Sequence, residues 1–117
     1  MPSITEWSVA FYVSESGQSP VKKFIRSLDK ETKARFAALI DLLRENEGKL
    51  DFPHARKLEG KLWELRLSSK TNIYRAVYFT HSNQRIVILH AFQKKTQKTD
   101  DNDLEIARRR YAELISR

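Results

Sequence analysis

Trp63-Glu-Leu-Arg-Leu-Ser68, Ile73-Tyr-Arg-Ala-Val-Tyr-Phe-Thr80 and Arg85-Ile-Val-Ile-Leu-His-Ala-Phe92 follow one another in the second half of the chain. In the first run Trp63, Leu65 and Leu67 alternate with Glu64, Arg66 and Ser68, the period of a strand with one buried face. The other two are rich in β-branched and aromatic residues, which suit a pleated surface. His81-Ser-Asn-Gln84 separates them and predicts a hairpin connection. Strands this closely spaced pair antiparallel. Working outward, Trp7, Val9, Phe11 and Val13 alternate with polar or small neighbours and predict a strand over about residues 5–13. Ser14 to Ser19, with Gly17, is a loop. Ser19-Pro20 starts a helix over 20–28, with Ser19 able to cap it and Val21, Phe24, Ile25 and Leu28 as its apolar stripe. Asp29 caps a second helix striped by Phe36, Leu39, Ile40 and Leu43 and stopped near Gly48. Leu50 to Gly60, with Pro53, is expected to be a loop. Asp100, Asp101 and Asp103 open a last helix whose apolar face is Leu104, Ala107, Tyr111, Leu114 and Ile115. The order β-α-α-β-β-β-α predicts an α+β fold. A two-helix hairpin and a C-terminal helix pack on one small antiparallel sheet, in a single domain covering 1–117.

Composition narrows the function. The 117 residues carry a formal net charge of +7 and no cysteine, which excludes disulfides, thiolate-held metals and a thiol nucleophile. No apolar run approaches the ~20 residues that span a bilayer, and Met1 to Trp7 lack a secretory pattern, so no membrane association and a cytoplasmic location are expected. The charge is concentrated. Residues 54–98 hold ten Lys/Arg against two acids, a net +8, while the rest carries twelve basic against thirteen acidic residues. A localised field of this kind favours a polyanion, nucleic acid first, over a solubility device spread along the chain. The three glycines are too far apart for a phosphate-binding loop, and His54, His81 and His90 lack helical ligand spacing, so no cofactor and no metal are expected.

Residues with chemical potential gather on the basic strands. Arg66 points away from the face shared by Leu65 and Leu67. Arg75, inside an apolar strand, must meet an anion, a carboxylate or water, because an unpaired buried charge is costly. Glu64 on a nearby strand is the ordinary ion-pair partner. Lys94, Lys95 and Lys98 follow the last strand and can close one end of a groove floored by Arg66 and Arg75. Tyr74 and Tyr78 face the other side as core groups. His54, in a loop, can titrate near neutrality. His90 shares the parity of Ile86 and Ile88 and is expected to be a hydrogen-bonded structural histidine.

The stretches His54-Ala-Arg-Lys-Leu-Glu-Gly-Lys-Leu-Trp-Glu-Leu-Arg66, Tyr74-Arg-Ala-Val-Tyr78 and Ile88-Leu-His-Ala-Phe-Gln-Lys-Lys-Thr-Gln-Lys-Thr99 resemble the phage-derived, HigB-like branch of the RelE/ParE toxin superfamily. The resemblance implies a type II toxin that cleaves mRNA, usually on the ribosome, and is held by a helix-turn-helix, HigA-like antitoxin. It places Arg66, Arg75, Lys94 and Lys95 at the catalytic positions, with Lys98 a weaker match. His54, Arg56, Lys57, Lys70 and Lys98 are then further RNA contacts, and His54 is an outside candidate for proton transfer. The chain departs from its relatives in having Asp100 where proline is common, and in having no tyrosine near the start of the last helix before Tyr111. Two other readings remain: a non-catalytic, ParE-like inhibitor of DNA gyrase, and a basic RNA-binding module without activity.

Overall fold

The computed structural model describes residues 6–95 and 101–117. Strand β1 (Ser8–Phe11) leads to helices α1 (Pro20–Arg26) and α2 (Lys30–Glu45). Four strands follow: β2 (Ala55–Glu59), β3 (Leu62–Ser68), β4 (Ile73–His81) and β5 (Arg85–Lys94). Helix α3 (Asp101–Ser116) closes the chain. The strands form one sheet in the order β1-β5-β4-β3-β2. The expected α+β architecture is present, with two differences in the sheet. Strand β2 occupies residues expected to be a loop; its sequence lacks apolar alternation because it is an exposed edge held by pairing with β3. Strand β1 pairs parallel with β5 while every other pair is antiparallel. Alternation fixes which residues face the core and says nothing of strand direction.

Each face of the sheet carries its own core. Leu65, Tyr74, Ala76, Tyr78, Ile86, Ile88 and Ala91 pack against Val21 of α1 and Phe36, Leu39 and Leu43 of α2. On the opposite face Leu62, Val77, Phe79, Val87, Leu89 and Phe92 meet Ala107 of α3, with Leu104, Tyr111 and Leu114 around them. Burial of each large apolar side chain contributes about 1.5–3 kcal/mol. Helix α3 is fastened at its flank by Arg108, whose Nε and Nη2 donate to the two Glu59 oxygens at 2.8 and 2.7 Å.

A bulge sets the geometry of β5. Its register on β4 passes from Val77↔His90 to Tyr78↔Ile88, leaving Leu89 as the extra residue. Side-chain parity therefore reverses at this point. Val87 and Leu89 face α3, and so do His90 and Phe92 beyond the bulge, with Lys94 next in the alternation. His90 consequently lies opposite to the face of Ile86 and Ile88, contrary to its simple parity.

The helix ends follow local chemistry. Asp29 accepts a hydrogen bond from the Thr32 amide at 3.2 Å and caps α2. Ser19 does not cap α1 with its side chain, and its hydroxyl is buried with no partner among the described residues. At the far end of α2 the Gly48 amide donates to the Leu43 carbonyl at 2.8 Å and the Glu47 amide to Arg44 at 3.0 Å. This is a Schellman closure, with Glu47 at φ 59° and Gly48 at φ 79°.

Candidate functional site

Register brings the expected arginines together. Arg66 of β3 lies directly opposite Arg75 of β4, which in turn faces Phe92 of β5. Glu64 pairs across with Val77 on one side and Arg56 of β2 on the other. Two-residue alternation then puts Arg56, Glu64, Arg66 and Arg75 on the face that also carries α3. Along β4, Phe79 and Val77 lie among the α3-side core residues, and Arg75, the next residue on that face, belongs to the charged cluster.

The cluster is built around a carboxylate. Glu64 is fully buried, and its Oε1 lies 3.5 Å from Arg56 Nη2, 3.3 Å from Arg66 Nη1 and 3.5 Å from Arg75 Nε. Arg75 is itself buried and spends one donor, Nη1, on the Tyr74 carbonyl at 2.9 Å. Arg56 remains half-exposed and Arg66 partly exposed. Burial, and then the charge of Arg66, push the Arg75 pKa down, Glu64 opposes them and Arg56 adds to the decrease. The guanidinium stays charged, since arginine titrates far above neutrality. Lys94 feels the same groups. Burial and then Arg75 lower its pKa, Glu64 pulls it up, and Arg66 and Arg56 lower it further. Three arginines therefore surround one anion, with Lys94 on the same sheet face, an arrangement that can bind a phosphodiester and stabilise charge developing on it.

A cleft of about 660 Å3 adjoins the cluster between α2 and the end of β3. Its walls include Leu39 and Leu42 of α2, His54, Leu67, and both Arg66 and Arg75. His54 is held in place because its carbonyl accepts from the Arg66 amide at 2.9 Å. Arg35 of α2 also lines the cleft and donates to the Ser68 carbonyl at 2.8 Å. The Arg66 guanidinium sits over the ring of exposed Phe52, 5.0 Å from its centroid.

A family model described as "Phage derived protein Gp49-like (DUF891)" matches residues 23–112. The chain belongs to this phage-derived family. No curated protein matches it in sequence. Among solved structures the Gp49-like chain is similar to a doubly mutated E. coli toxin RelE in the free state, at 16% identity and a TM-score of 0.60. The alignment covers 90% of this chain and 97% of that one, and it establishes a shared fold.

Not every site residue expected from the sequence of this Gp49-like chain joins the cluster. Lys95 is exposed, one residue past the end of β5. Lys57 pairs with Trp63 and so lies on the α1–α2 face of the sheet, away from Arg56. Lys70 is in the β3–β4 turn, beside a separate depression lined by Leu28, Asp29 and Tyr74. Lys98 lies outside the described residues. Sequence reasoning passed over Arg35 and Phe52. Phe52 had a readable signal, an aromatic residue in a loop beside basic residues; Arg35, one of several charges on an amphipathic helix, had none. His90 is structural in its contacts: Nε2 meets Asp103 Oδ1 at 2.8 Å, Arg110 Nη1 approaches Nδ1 at 3.4 Å, and the ring stacks on Phe92. Among the described residues no helix is long and apolar enough to cross a membrane, and no three His, Cys, Asp or Glu side chains are grouped to hold a metal.

Proposed function

We propose that this chain is the toxin of a type II toxin–antitoxin pair and an endoribonuclease acting on mRNA at the ribosome. The observation that carries the reading is the convergence of Arg56, Arg66, Arg75 and Lys94 on one sheet face beside an open cleft. The fold shared with a protein named as a toxin supports it. In the reaction the 2′-hydroxyl oxygen attacks the adjacent phosphorus and the P–O5′ bond breaks, giving a 2′,3′-cyclic phosphate and a 5′-hydroxyl end. A base takes the 2′ proton and an acid returns one to the departing oxygen. Arg66 and Arg75 hold the charge that builds on the phosphorane. Lys94, whose pKa is already depressed by its neighbours, is the first candidate for proton transfer, with Lys95 and His54 as alternatives. DNA lacks the 2′-hydroxyl and is not a substrate. The expected partner is a helix-turn-helix, HigA-like antitoxin.

Induced expression should arrest growth and yield messages with cyclic-phosphate ends. Arg75→Ala should cut cleavage by about 100-fold or more while the circular dichroism spectrum is retained. Unchanged cleavage by that variant refutes the site assignment. Inhibition of gyrase supercoiling without message cleavage would favour a ParE-like inhibitor, and tight binding of RNA left intact on programmed ribosomes would favour a binding module.

A further inference from the structure

We propose that Glu64 is a positioning residue, an internal counter-ion that gathers Arg56, Arg66 and Arg75 at one point while leaving N–H donors of the more exposed Arg56 and Arg66 for an RNA phosphodiester. The inference rests on the RNA-cleaving reading above and concerns the same site. Three details of the geometry carry it. The carboxylate is sealed from solvent, so it cannot touch substrate itself. One oxygen, Oε1, serves three guanidiniums from three adjacent strands at 3.3–3.5 Å. The other, Oε2, is buried with no hydrogen-bond partner among the described residues, and so is Arg75 Nε.

An ion pair shaped for stability looks different. Arginine and carboxylate favour two parallel bonds of about 2.7–2.9 Å that use both oxygens. Here every contact is single and long, one acceptor is left bare, and the three cations stay close together despite mutual repulsion. The arrangement sacrifices pair strength, and what it keeps is a cluster of cations in excess over their one anion. Glu64 also stands on the same sheet face as Lys94, and among the described residues it is the group that holds the lysine pKa up against burial and three arginines.

Two substitutions separate charge from position. Glu64→Gln keeps the shape and removes the charge; Glu64→Asp keeps the charge and withdraws the oxygen by one methylene. The probes are a single-stranded RNA 2′-O-methylated throughout, which cannot be cut, and its unmodified counterpart. Lys94 is followed separately by its 13Cε resonance. The Gln variant should bind the methylated RNA about threefold tighter or more, because an anion that opposes phosphate is gone, yet cleave about tenfold slower because the guanidiniums are no longer gathered. Its Lys94 should titrate at lower pH than in the wild type. The Asp variant should bind within about twofold of wild type and also cleave about tenfold slower. A folded Gln variant that binds no tighter, a Lys94 that titrates unchanged in it, or wild-type cleavage by either variant overturns the proposal. If the Gln variant does not fold, the Asp variant decides by its cleavage rate. If the wild type itself cuts no RNA, the cleavage reading falls, and methylated-RNA affinity together with the Lys94 titration still decides the role of Glu64.

Discussion

Replacing Tyr78 by phenylalanine should make the protein more stable, against the usual direction of core substitutions. The Tyr78 side chain is fully buried, and its hydroxyl has no hydrogen-bond partner among the described residues. A buried hydroxyl left unpaired costs about 1–3 kcal/mol. Phenylalanine keeps the ring between its cross-strand neighbours Trp63 and Ile88 and vacates only the oxygen. A void of roughly 15 Å3 costs a few tenths of a kcal/mol at about 24 cal/mol per Å3. The net gain is about 1 kcal/mol, or roughly 4 °C in Tm for a domain of this size. Urea denaturation of the two proteins at neutral pH measures it. The same hydroxyl gives a second reading, since burial pushes the Tyr78 pKa up to about 12. An unfolded tyrosine ionises near 10. Between those values the unfolded chain has lost a proton that the folded one retains, so wild-type stability should decline with pH there by more than that of Tyr78→Phe. A variant less stable than wild type by about 0.5 kcal/mol or more, or parallel alkaline profiles, would refute the reasoning.

Gly48→Ala should cost about 2 kcal/mol or more by urea denaturation, since the new methyl lies 2.7 Å from Thr80 Cγ2 on a backbone at φ +79°. Burial holds the His90 pKa below its ordinary value although Asp103 raises it and Arg110 lowers it further. An unfolded histidine near 6.5 therefore takes up a proton that the folded site resists. Stability should fall as pH drops below that value, a slope that His90→Phe removes; Asp103→Asn should move the His90 NMR titration lower still. Leu42→Glu sets an anion in the cleft beside Arg66 and Arg75 at a position already 37% exposed. It should weaken RNA binding several-fold at low salt in a filter assay and change stability by less than about 0.5 kcal/mol.

The sequence carried the helices and the central strands because their apolar residues repeat at the spacing of the element they form. Phe36, Leu39 and Leu43 lie on one side of α2, and Leu65 and Leu67 on one side of β3. It did not carry β2, whose Ala-Arg-Lys-Leu-Glu has no amphipathic period and acquires strand form from a neighbour. The pairing of β1 with β5 joins segments far apart in the chain, and no local pattern encodes its parallel sense. For the site, the alternation around Arg66 and Arg75 placed both on one face, and the register then set them opposite each other. Glu64 could be read as a partner for Arg75; that one oxygen would serve three arginines depended on β2, which was not visible. Lys57 and Lys70 show the limit of charge counting. Net charge locates a basic segment but not the side of the sheet on which each cation emerges.

The single surplus residue in β5 acts as a phase marker. Leu89 lets the same strand serve the aliphatic layer before it and the charged pocket after it. Removing one residue there would rotate everything downstream by half a turn, sending Phe92 and Lys94 to the helical-hairpin side and Ala91 to the pocket. The length of β5 is therefore tied to the chemistry. A descendant that shortened it would keep the composition and lose the alignment, and would regain the alignment only by a compensating insertion before Lys94.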